Sequence, residues 1–124
     1  MNAVAWLAFA VAAATGAVAR YVIDGLVPDR TGGEFPWGTF LVNATGSLLS
    51  GFLSGLALYH AMGTVPKVVL VTGFCGAYTT FSTFTFETVR LIEEGAVERA
   101  ALNVGLTALI CAAAAGIGLA LATL

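Results

Sequence analysis

The chain has few charged side chains, and this scarcity excludes most classes of soluble protein. Only 10% of its 124 residues are charged, whereas about a quarter are charged in an average soluble domain. The net charge of −2 and the lack of a basic patch argue against nucleic-acid binding. The hydrophobic content of 59% and the mean hydropathy of +0.94 instead indicate a membrane protein.

Side chains that carry catalysis are also scarce. The two cysteines, Cys75 and Cys111, lie in apolar segments without CxxC or metal-ligand spacing, so we interpret them as small buried residues. The single histidine, His60, is predicted to lie in a turn. The sequence shows no Ser/His/Asp or Cys/His arrangement and no phosphate-binding loop, so we expect no enzymatic activity.

Long stretches without charge divide the chain into four predicted membrane spans. No Asp, Glu, Lys or Arg occurs before Arg20, between Glu34 and Lys67, between Lys67 and Glu87, or after Arg99. Each gap can hold a helix of about 20 residues, which is the length that crosses the hydrocarbon core. A cleaved signal peptide is disfavoured because the basic n-region is missing. We predict a single transmembrane domain over 1–124, with spans near 3–23, 37–59, 67–92 and 99–122.

The connectors between these spans differ in basic residues. Lys67 alone belongs to the second connector, whereas the first and third hold Arg30, Arg90 and Arg99, with Arg20 nearby. The positive-inside rule then favours a topology with both termini outside.

A polar stripe runs along the second span. Its members follow helical spacing and share one face: Thr39, Asn43, Ser47, Ser50 and Ser54. At helical rise the stripe extends over about 22 Å, most of a bilayer core. Serine and threonine can bond back to their own helix, but an unpaired Asn43 amide is costly in hydrocarbon. The stripe indicates either a polar track or hydrogen bonds between helices.

The fourth span carries a shorter polar stripe, and the first span ends in a basic residue. Asn103, Thr107 and Cys111 share one helical face, where a pathway or simple helix–helix bonding is possible. Arg20 is either a structural arginine that extends to the interface and pairs with Asp24, or a vestibule charge that attracts anions.

The third span contains the segment GFCGAYTTFSTF, residues 73–84, which is unusually polar for a membrane helix. Gly73 and Gly76 precede four hydroxyl side chains, those of Thr79, Thr80, Ser82 and Thr83. These residues either interrupt the helix or form an unbroken helix with back-bonded hydroxyls. An interrupted helix persists in a membrane only where it is buried in protein or faces water. Its freed carbonyls can ligate a cation, and its half-helix N-termini favour anions.

Two phenylalanines lie three residues apart beyond the possible break. Phe81 and Phe84 share a face, and phenylalanines in a membrane usually face lipid or pack. However, an aromatic ring has a positive edge. Ring edges beside amide and hydroxyl donors can solvate a small anion although the site carries no full positive charge. A fixed cation in the site would bind the anion too tightly for release.

Small residues on two spans allow close helix contact. Gly51 and Gly55 form a GxxxG pattern, and residues 112–118 read AAAAGIG. Such faces pack helices either between subunits or within one chain.

Three segments together resemble one protein family. The segment GFCGAYTTFSTFTFE closely resembles the signature of the Fluc fluoride channels, also called CrcB proteins, while GTFLVNATGSLLSG and GAVARY resemble the family's second-helix and first-helix motifs. The resemblance covers essentially the whole chain. It implies an all-α membrane protein with four transmembrane helices, a break in the third, and an antiparallel dimer. It also implies passive export of cytoplasmic fluoride across the cell membrane.

The resemblance assigns roles to individual residues. Two antiparallel subunits would hold two fluoride pathways, and the pathway residues would be Asn43, Phe81, Phe84, Thr39, Ser82, Thr83 and Thr107, with Arg20 facing the vestibule. A structural sodium ion at the dimer centre would be held by the main-chain carbonyls of Gly76 and Thr79. One departure concerns the fourth helix, where family members often have a tyrosine and a serine. Here Asn103 and Thr107 stand at the corresponding positions.

Two other functions compete with this one. A small multidrug-type exporter needs a membrane-embedded carboxylate for proton exchange, and Glu87 is the only candidate in the spans. A non-transporting assembly subunit would leave Asn43 without a purpose. The excess of arginine on two connectors leads us to hypothesise a fixed orientation and an oppositely oriented paralogous partner, rather than pairing of the chain with itself.

Overall fold

The protein is described by a computed structural model that covers residues 1–27 and 34–124. These residues form helices and no strand. Four helical spans are long and apolar enough to cross a membrane: α1 (Ala3–Leu26), α2 (Trp37–Tyr59), a composite third span (Thr64–Glu93) and α6 (Val97–Leu121). The prediction of four membrane-spanning helices is confirmed. Arg30, which we assigned to the first connector, lies outside the described residues.

The helix ends follow local sequence signals. The Asn2 side chain accepts a hydrogen bond from the Ala5 amide at 2.9 Å, which caps α1. Gly95 has φ of 79°, in the left-handed region, at the turn before α6. The amides of Gly95 and Ala96 return to the carbonyls of Ile92 and Leu91, the pattern of a Schellman motif. The third connector is therefore a tight turn that glycine permits.

The third span is not a single α-helix. It begins with α3 (Thr64–Lys67), continues as a π-helical segment (Val68–Cys75) and ends its first half with the short α4 (Gly76–Tyr78). The chain is then non-helical over residues 79–81, where Thr79 has an extended conformation with φ of −77° and ψ of 159°. Helical structure resumes in α5 (Ser82–Glu93). The predicted interruption is confirmed, and it falls within the hydroxyl-rich segment.

Glycines allow the helices to approach closely within the chain. A Cβ atom added to Gly51 would collide with the carbonyl oxygen of Ala115, and one added to Gly118 would collide with that of Leu48. Gly55 likewise lies against the Ala122 side chain. The GxxxG face of α2 therefore packs against α6 of the same chain. Of the two possibilities for these glycines, this is packing within one chain.

The first helix packs against the π-helical segment by the same means. A Cβ on Gly16 would collide with the Phe74 carbonyl oxygen, and one on Gly73 would lie 3.2 Å from the Phe9 ring.

The outward faces of α1 and α6 expose large apolar side chains such as Trp6, Leu7 and Leu109. In a membrane these faces can contact lipid or another subunit.

Candidate functional site at the break in the third span

Asn43 on α2 holds the broken segment through two hydrogen bonds to the main chain of Thr80. Its Nδ2 donates to the Thr80 carbonyl oxygen at 2.8 Å, and the Thr80 amide donates to its Oδ1 at 2.8 Å. Both residues are buried. An unpaired amide or peptide group is costly away from water. Asn43 and the unwound peptide therefore satisfy each other.

The Asn43 amide retains donor capacity after this pairing. An asparagine side chain has two N–H donors and one carbonyl acceptor. Thr80 uses one donor and the acceptor. The second Nδ2 hydrogen is not needed by Thr80, and Asn43 lines a groove beside the break. Asn43 can thus hold the break and still donate to a guest in that groove.

The break diverts two amides from their helical partners. In an unbroken α-helix the Thr80 amide would donate to the Gly76 carbonyl, but it donates to Asn43 instead. The Thr83 amide would donate to the Thr79 carbonyl, but it donates to the Thr80 hydroxyl at 3.1 Å. The Thr80 side chain thereby caps the start of α5. The two carbonyls predicted to bind sodium are among those that lose their usual helical donors.

Arg20 lies against one of these carbonyls. Its Nη1 donates to the Thr79 carbonyl oxygen at 3.4 Å, across 59 residues of sequence. The Thr79 hydroxyl donates back to the Cys75 carbonyl at 2.9 Å. Arg20 is therefore not an isolated interfacial arginine, because its guanidinium group reaches the break.

A groove of about 500 Å³ lies beside the break. It brings together six of the predicted site residues: Asn43, Gly76, Thr79, Phe81, Phe84 and Thr107. The centroids of the Phe81 and Phe84 rings are 5.8 Å apart, and their planes meet at 40°. Among the described residues, none that lines this groove is charged. The groove is lined by amide, hydroxyl, thiol and aromatic groups together with the aliphatic side chains of Val71, Ala108 and Ala115.

The remaining predicted residues lie around a second cavity of about 220 Å³. Arg20, Thr39 and Thr83 line it, together with Asp24 and the apolar Val42. Thr80 lines both cavities and forms part of the wall between them. Ser82 lies beside this wall, with its hydroxyl oxygen 3.3 Å from that of Thr80. The predicted site is therefore divided into two chambers that meet at Thr80.

Thr80 is a site residue that sequence reasoning missed. The sequence places it in the run of hydroxyl side chains, but nothing in the spacing distinguishes it from Thr79 or Thr83. Its importance comes from its pairing with Asn43, 37 residues earlier. The sequence offers one signal for this pairing. It is an asparagine on another span, at about the membrane depth of the predicted break.

Part of the polar stripe on α2 lies in the wall of the groove. Ser47 and Ser50 line the groove with Asn43, whereas Thr39 lines the second cavity. Cys75 and Cys111 also line the groove; both are free, Cys75 is buried and Cys111 is half-buried. The cysteines are thus part of the site wall as well as small packing residues.

The short stripe on α6 bonds to α5. The Asn103 Nδ2 donates to the Thr88 hydroxyl at 2.9 Å, and the Thr107 hydroxyl donates to the Asn103 Oδ1 at 3.2 Å. Both α6 side chains are buried. The helix–helix interpretation holds for Asn103, while Thr107 also borders the groove. Thr88 is a second residue that the sequence did not single out.

Comparison with known proteins identifies the family. The family profile described as "CrcB-like protein, Camphor Resistance (CrcB)" matches residues 7–119. The chain belongs to the CrcB family. Among its CrcB relatives, the protein named "Fluoride-specific ion channel FluC 1" of Frankia casuarinae is 47% identical over 122 residues, with 94% of this chain and 95% of the relative covered.

Two further CrcB relatives have similar names. The "Fluoride-specific ion channel FluC 1" of Streptomyces avermitilis is 45% identical over 117 residues, covering 94% of this chain and 90% of the relative. The "Fluoride-specific ion channel FluC" of Methylococcus capsulatus is 43% identical over 116 residues, covering 93% of this chain. The chain spans 51% of the length of the Methylococcus relative. The names of these relatives agree with the resemblance noted in the sequence.

Proposed function

We propose that the chain is a subunit of a fluoride-selective passive channel that releases cytoplasmic fluoride across the cell membrane. The CrcB relatives named as fluoride-specific channels support the substrate. The observation that carries the proposal is the uncharged groove, where the Asn43 amide and the Phe81–Phe84 pair meet at a broken membrane helix. Such a groove offers an anion hydrogen-bond donors and positive ring edges. It contains no fixed cation among its described lining residues that would retain the anion.

The two chambers define an order of contacts for the anion. In the smaller cavity, the Arg20 guanidinium attracts the anion against the charge of Asp24, and the hydroxyls of Thr39 and Thr83 replace part of its hydration. At the wall between the chambers, the anion passes Thr80 and meets the second Nδ2 hydrogen of Asn43. The ring edges of Phe81 and Phe84 would then be its partners in the groove. A compact anion with a strong hydrogen-bond affinity suits this sequence of donors.

A structural sodium ion is part of the proposal. Sodium is a hard cation and prefers oxygen ligands, and the carbonyls of Gly76 and Thr79 have lost their helical donors to Asn43 and Thr80. The Gly76 carbonyl fits the ion, whereas the Thr79 carbonyl, which also accepts from Arg20 Nη1 at 3.4 Å, fits it through its second lone pair and against the guanidinium charge. When bound, sodium would fix the broken segment by neutralising these carbonyl dipoles. Over residues 1–27 and 34–124, no group of three His, Cys, Asp or Glu side chains offers another metal site.

We further propose that two subunits assemble in antiparallel orientation. The Phe81 side chain is 76% exposed in the single chain, although it borders the groove that holds Asn43. A pathway for an ion must exclude lipid, so a second subunit would have to cover this open side. The partner is either another copy of the chain or, as the arginine distribution favours, an oppositely oriented paralogue.

Proton-coupled export has less support. Such an exporter needs a carboxylate that is free to exchange protons with its substrate site. Glu87 is instead ion-paired with Arg90 on the same helix at 3.4 Å, and it is not among the residues that line the groove. The observations therefore favour a passive channel.

Growth of a fluoride-sensitive deletion strain tests the proposal and separates it from an assembly role. Expression of the chain, with its paralogue where one is required, should restore growth in fluoride. Expression of Asn43→Leu at the same level should not, whereas Asn2→Asp should, because an aspartate side chain at that position can still cap α1. A strain that remains sensitive with both partners present would contradict channel function and favour the non-transporting subunit.

A further inference from the structure

A chain of hydrogen bonds, buried at Asn103 and Thr107 and partly buried at Thr88, connects the groove-facing side of α6 to the main chain of α5. The Thr107 hydroxyl donates to Asn103 Oδ1 at 3.2 Å, and Asn103 Nδ2 donates to the Thr88 hydroxyl oxygen at 2.9 Å. The Thr88 hydroxyl donates to the Phe84 carbonyl oxygen at 2.8 Å. Asn103 is only 1% exposed. Thr107 and Phe84, the two ends of the chain, both line the groove.

The direction of this chain is fixed by its last acceptor. The Phe84 carbonyl can only accept, so Thr88 must spend its single hydroxyl hydrogen there. Thr88 can then only accept from Asn103, which turns the NH₂ group of Asn103 toward Thr88 and its oxygen toward Thr107. Thr107 must therefore donate its single hydrogen to Asn103. Only the lone pairs of the Thr107 oxygen remain for the groove.

We infer that Asn103 is a positioning residue that consumes the only hydroxyl hydrogen of Thr107, so that α6 presents a hydrogen-bond acceptor to the groove. The inference rests on the proposed function, because its consequence concerns an anion. An acceptor repels fluoride and binds a donor such as a water molecule that accompanies it. Direct donation from amide and hydroxyl groups then comes from the α2 side of the groove and the broken segment, and not from α6. One-sided donation keeps the anion weakly held and able to leave.

Fluoride efflux from liposomes, measured over a range of fluoride concentrations, tests this role. Asn103→Leu frees the Thr107 hydrogen, which can then point at the anion. A hydrogen bond to a charged group should lower the half-saturating concentration about tenfold, and the maximal rate should fall because release becomes slower. In Asn103→Leu/Thr107→Val the half-saturating concentration should return to the wild-type value. Thr107→Val alone removes the hydroxyl hydrogen together with the acceptor, so it should not produce this tenfold fall.

Thr88→Val provides a second route to the same result without altering Asn103. It removes the acceptor that orients the Asn103 amide, so the half-saturating concentration should fall in the same direction. The inference is overturned if Asn103→Leu changes only the maximal rate, or if the fall persists in the double variant. A merely structural role would lower the rate in all of these variants without this dependence on the Thr107 hydroxyl.

Nuclear magnetic resonance tests the hydrogen-bond chain independently of conduction. The sequence has three asparagines, Asn2, Asn43 and Asn103, and no glutamine, so ¹⁵N-asparagine labelling gives three pairs of side-chain amide signals. Asn103→Leu and Asn2→Asp assign them. The Asn103 side-chain hydrogens should exchange far more slowly than those of the exposed Asn2, and Thr88→Val should shift the Asn103 signals and speed their exchange. Equal exchange at Asn103 and Asn2 would overturn the inference.

These two measurements distinguish the inference from the proposed function. If the wild-type protein released no fluoride with its partner present, the proposed function would fail. The signals of Asn103 would still decide whether its amide is held between Thr88 and Thr107.

Discussion

At the scale of single residues, Asn43 and Thr80 each satisfy polar atoms that the other would leave unpaired. The two 2.8 Å hydrogen bonds connect a side-chain amide to an unwound peptide in the interior of a membrane protein. Leaving either group unpaired would cost about 1–3 kcal/mol. The pairing explains how the α2 amide is accommodated away from water, and it leaves one Asn43 hydrogen that is not needed to hold the break.

Asn43→Asp tests the two roles of this side chain. An ionised aspartate keeps an acceptor for the Thr80 amide but cannot donate to the Thr80 carbonyl or to fluoride, and its charge repels an anion. We expect fluoride efflux to fall by at least about 100-fold, because a charge-assisted hydrogen bond is lost and a like charge is added. Asn2→Asp is the matched control and should conduct normally. Normal efflux through Asn43→Asp would contradict the assigned pathway.

At the scale of helical elements, the sequence predicts much of the architecture but not how its polar groups pair. Four charge-free stretches are each long enough for a span, and the glycines and hydroxyls of residues 73–84 predict the break. The π-helical segment, which packs against α1 at Gly16 and Gly73, has no comparable signal in the sequence. The pairing of Asn43 with Thr80 and of Asn103 with Thr88 joins different helices. Periodicity within one helix cannot indicate such partners.

Thr80→Val tests the cap that restarts the helix after the break. The substitution removes the hydroxyl oxygen that accepts from the Thr83 amide. Loss of such a cap costs about 1 kcal/mol, so the unfolding midpoint in detergent should fall and fluoride efflux should decrease. Thr85→Val is the matched control, since the Thr85 hydroxyl bonds only to its own helix at Phe81 and Ser82 on an exposed face. Equal stability of the two variants would argue against a capping role for Thr80.

Gly51→Val tests the close contact between α2 and α6. The new Cβ would collide with the Ala115 carbonyl oxygen, and overpacking of this kind costs about 1–3 kcal/mol. The thermal unfolding midpoint of the purified protein should therefore fall. Gly105→Ala is the matched control, because no atom beyond the adjacent backbone of its own helix lies within 4 Å of the Cβ it introduces. If Gly51→Val were as stable as Gly105→Ala, the intrachain packing of α2 on α6 would be wrong.

At the scale of the whole molecule, one chain supplies an open groove rather than a closed pathway. The exposed Phe81 ring and the apolar outer faces of the helices require lipid or a partner. Antiparallel pairing would place a second broken segment beside the first and would gather the Gly76 and Thr79 carbonyls of both subunits around a sodium ion. The concentration of arginines on the first and third connectors favours an oppositely oriented paralogue as the partner.

Reporter fusions test the predicted orientation. A chain with its arginines concentrated on two connectors should insert in one direction, with both termini outside. A C-terminal reporter that is active only outside the cytoplasm should therefore be active, and one that is active only in the cytoplasm should be silent. The chain expressed alone should not conduct, whereas co-expression with an oppositely oriented paralogue should give efflux. Activity of both reporters and a functional homodimer would refute the fixed orientation.

Ion release from liposomes that contain the purified protein, with its paralogue where one is needed, tests for a fluoride-selective pathway at the break. A potassium ionophore carries the counter-ion, and fluoride and chloride electrodes follow the two anions in parallel. We expect rapid fluoride release without chloride release, and loss of that release in Asn43→Asp but not in Asn2→Asp. Absence of fluoride release with both partners present, or equal release of chloride, would contradict a fluoride-selective pathway at the break.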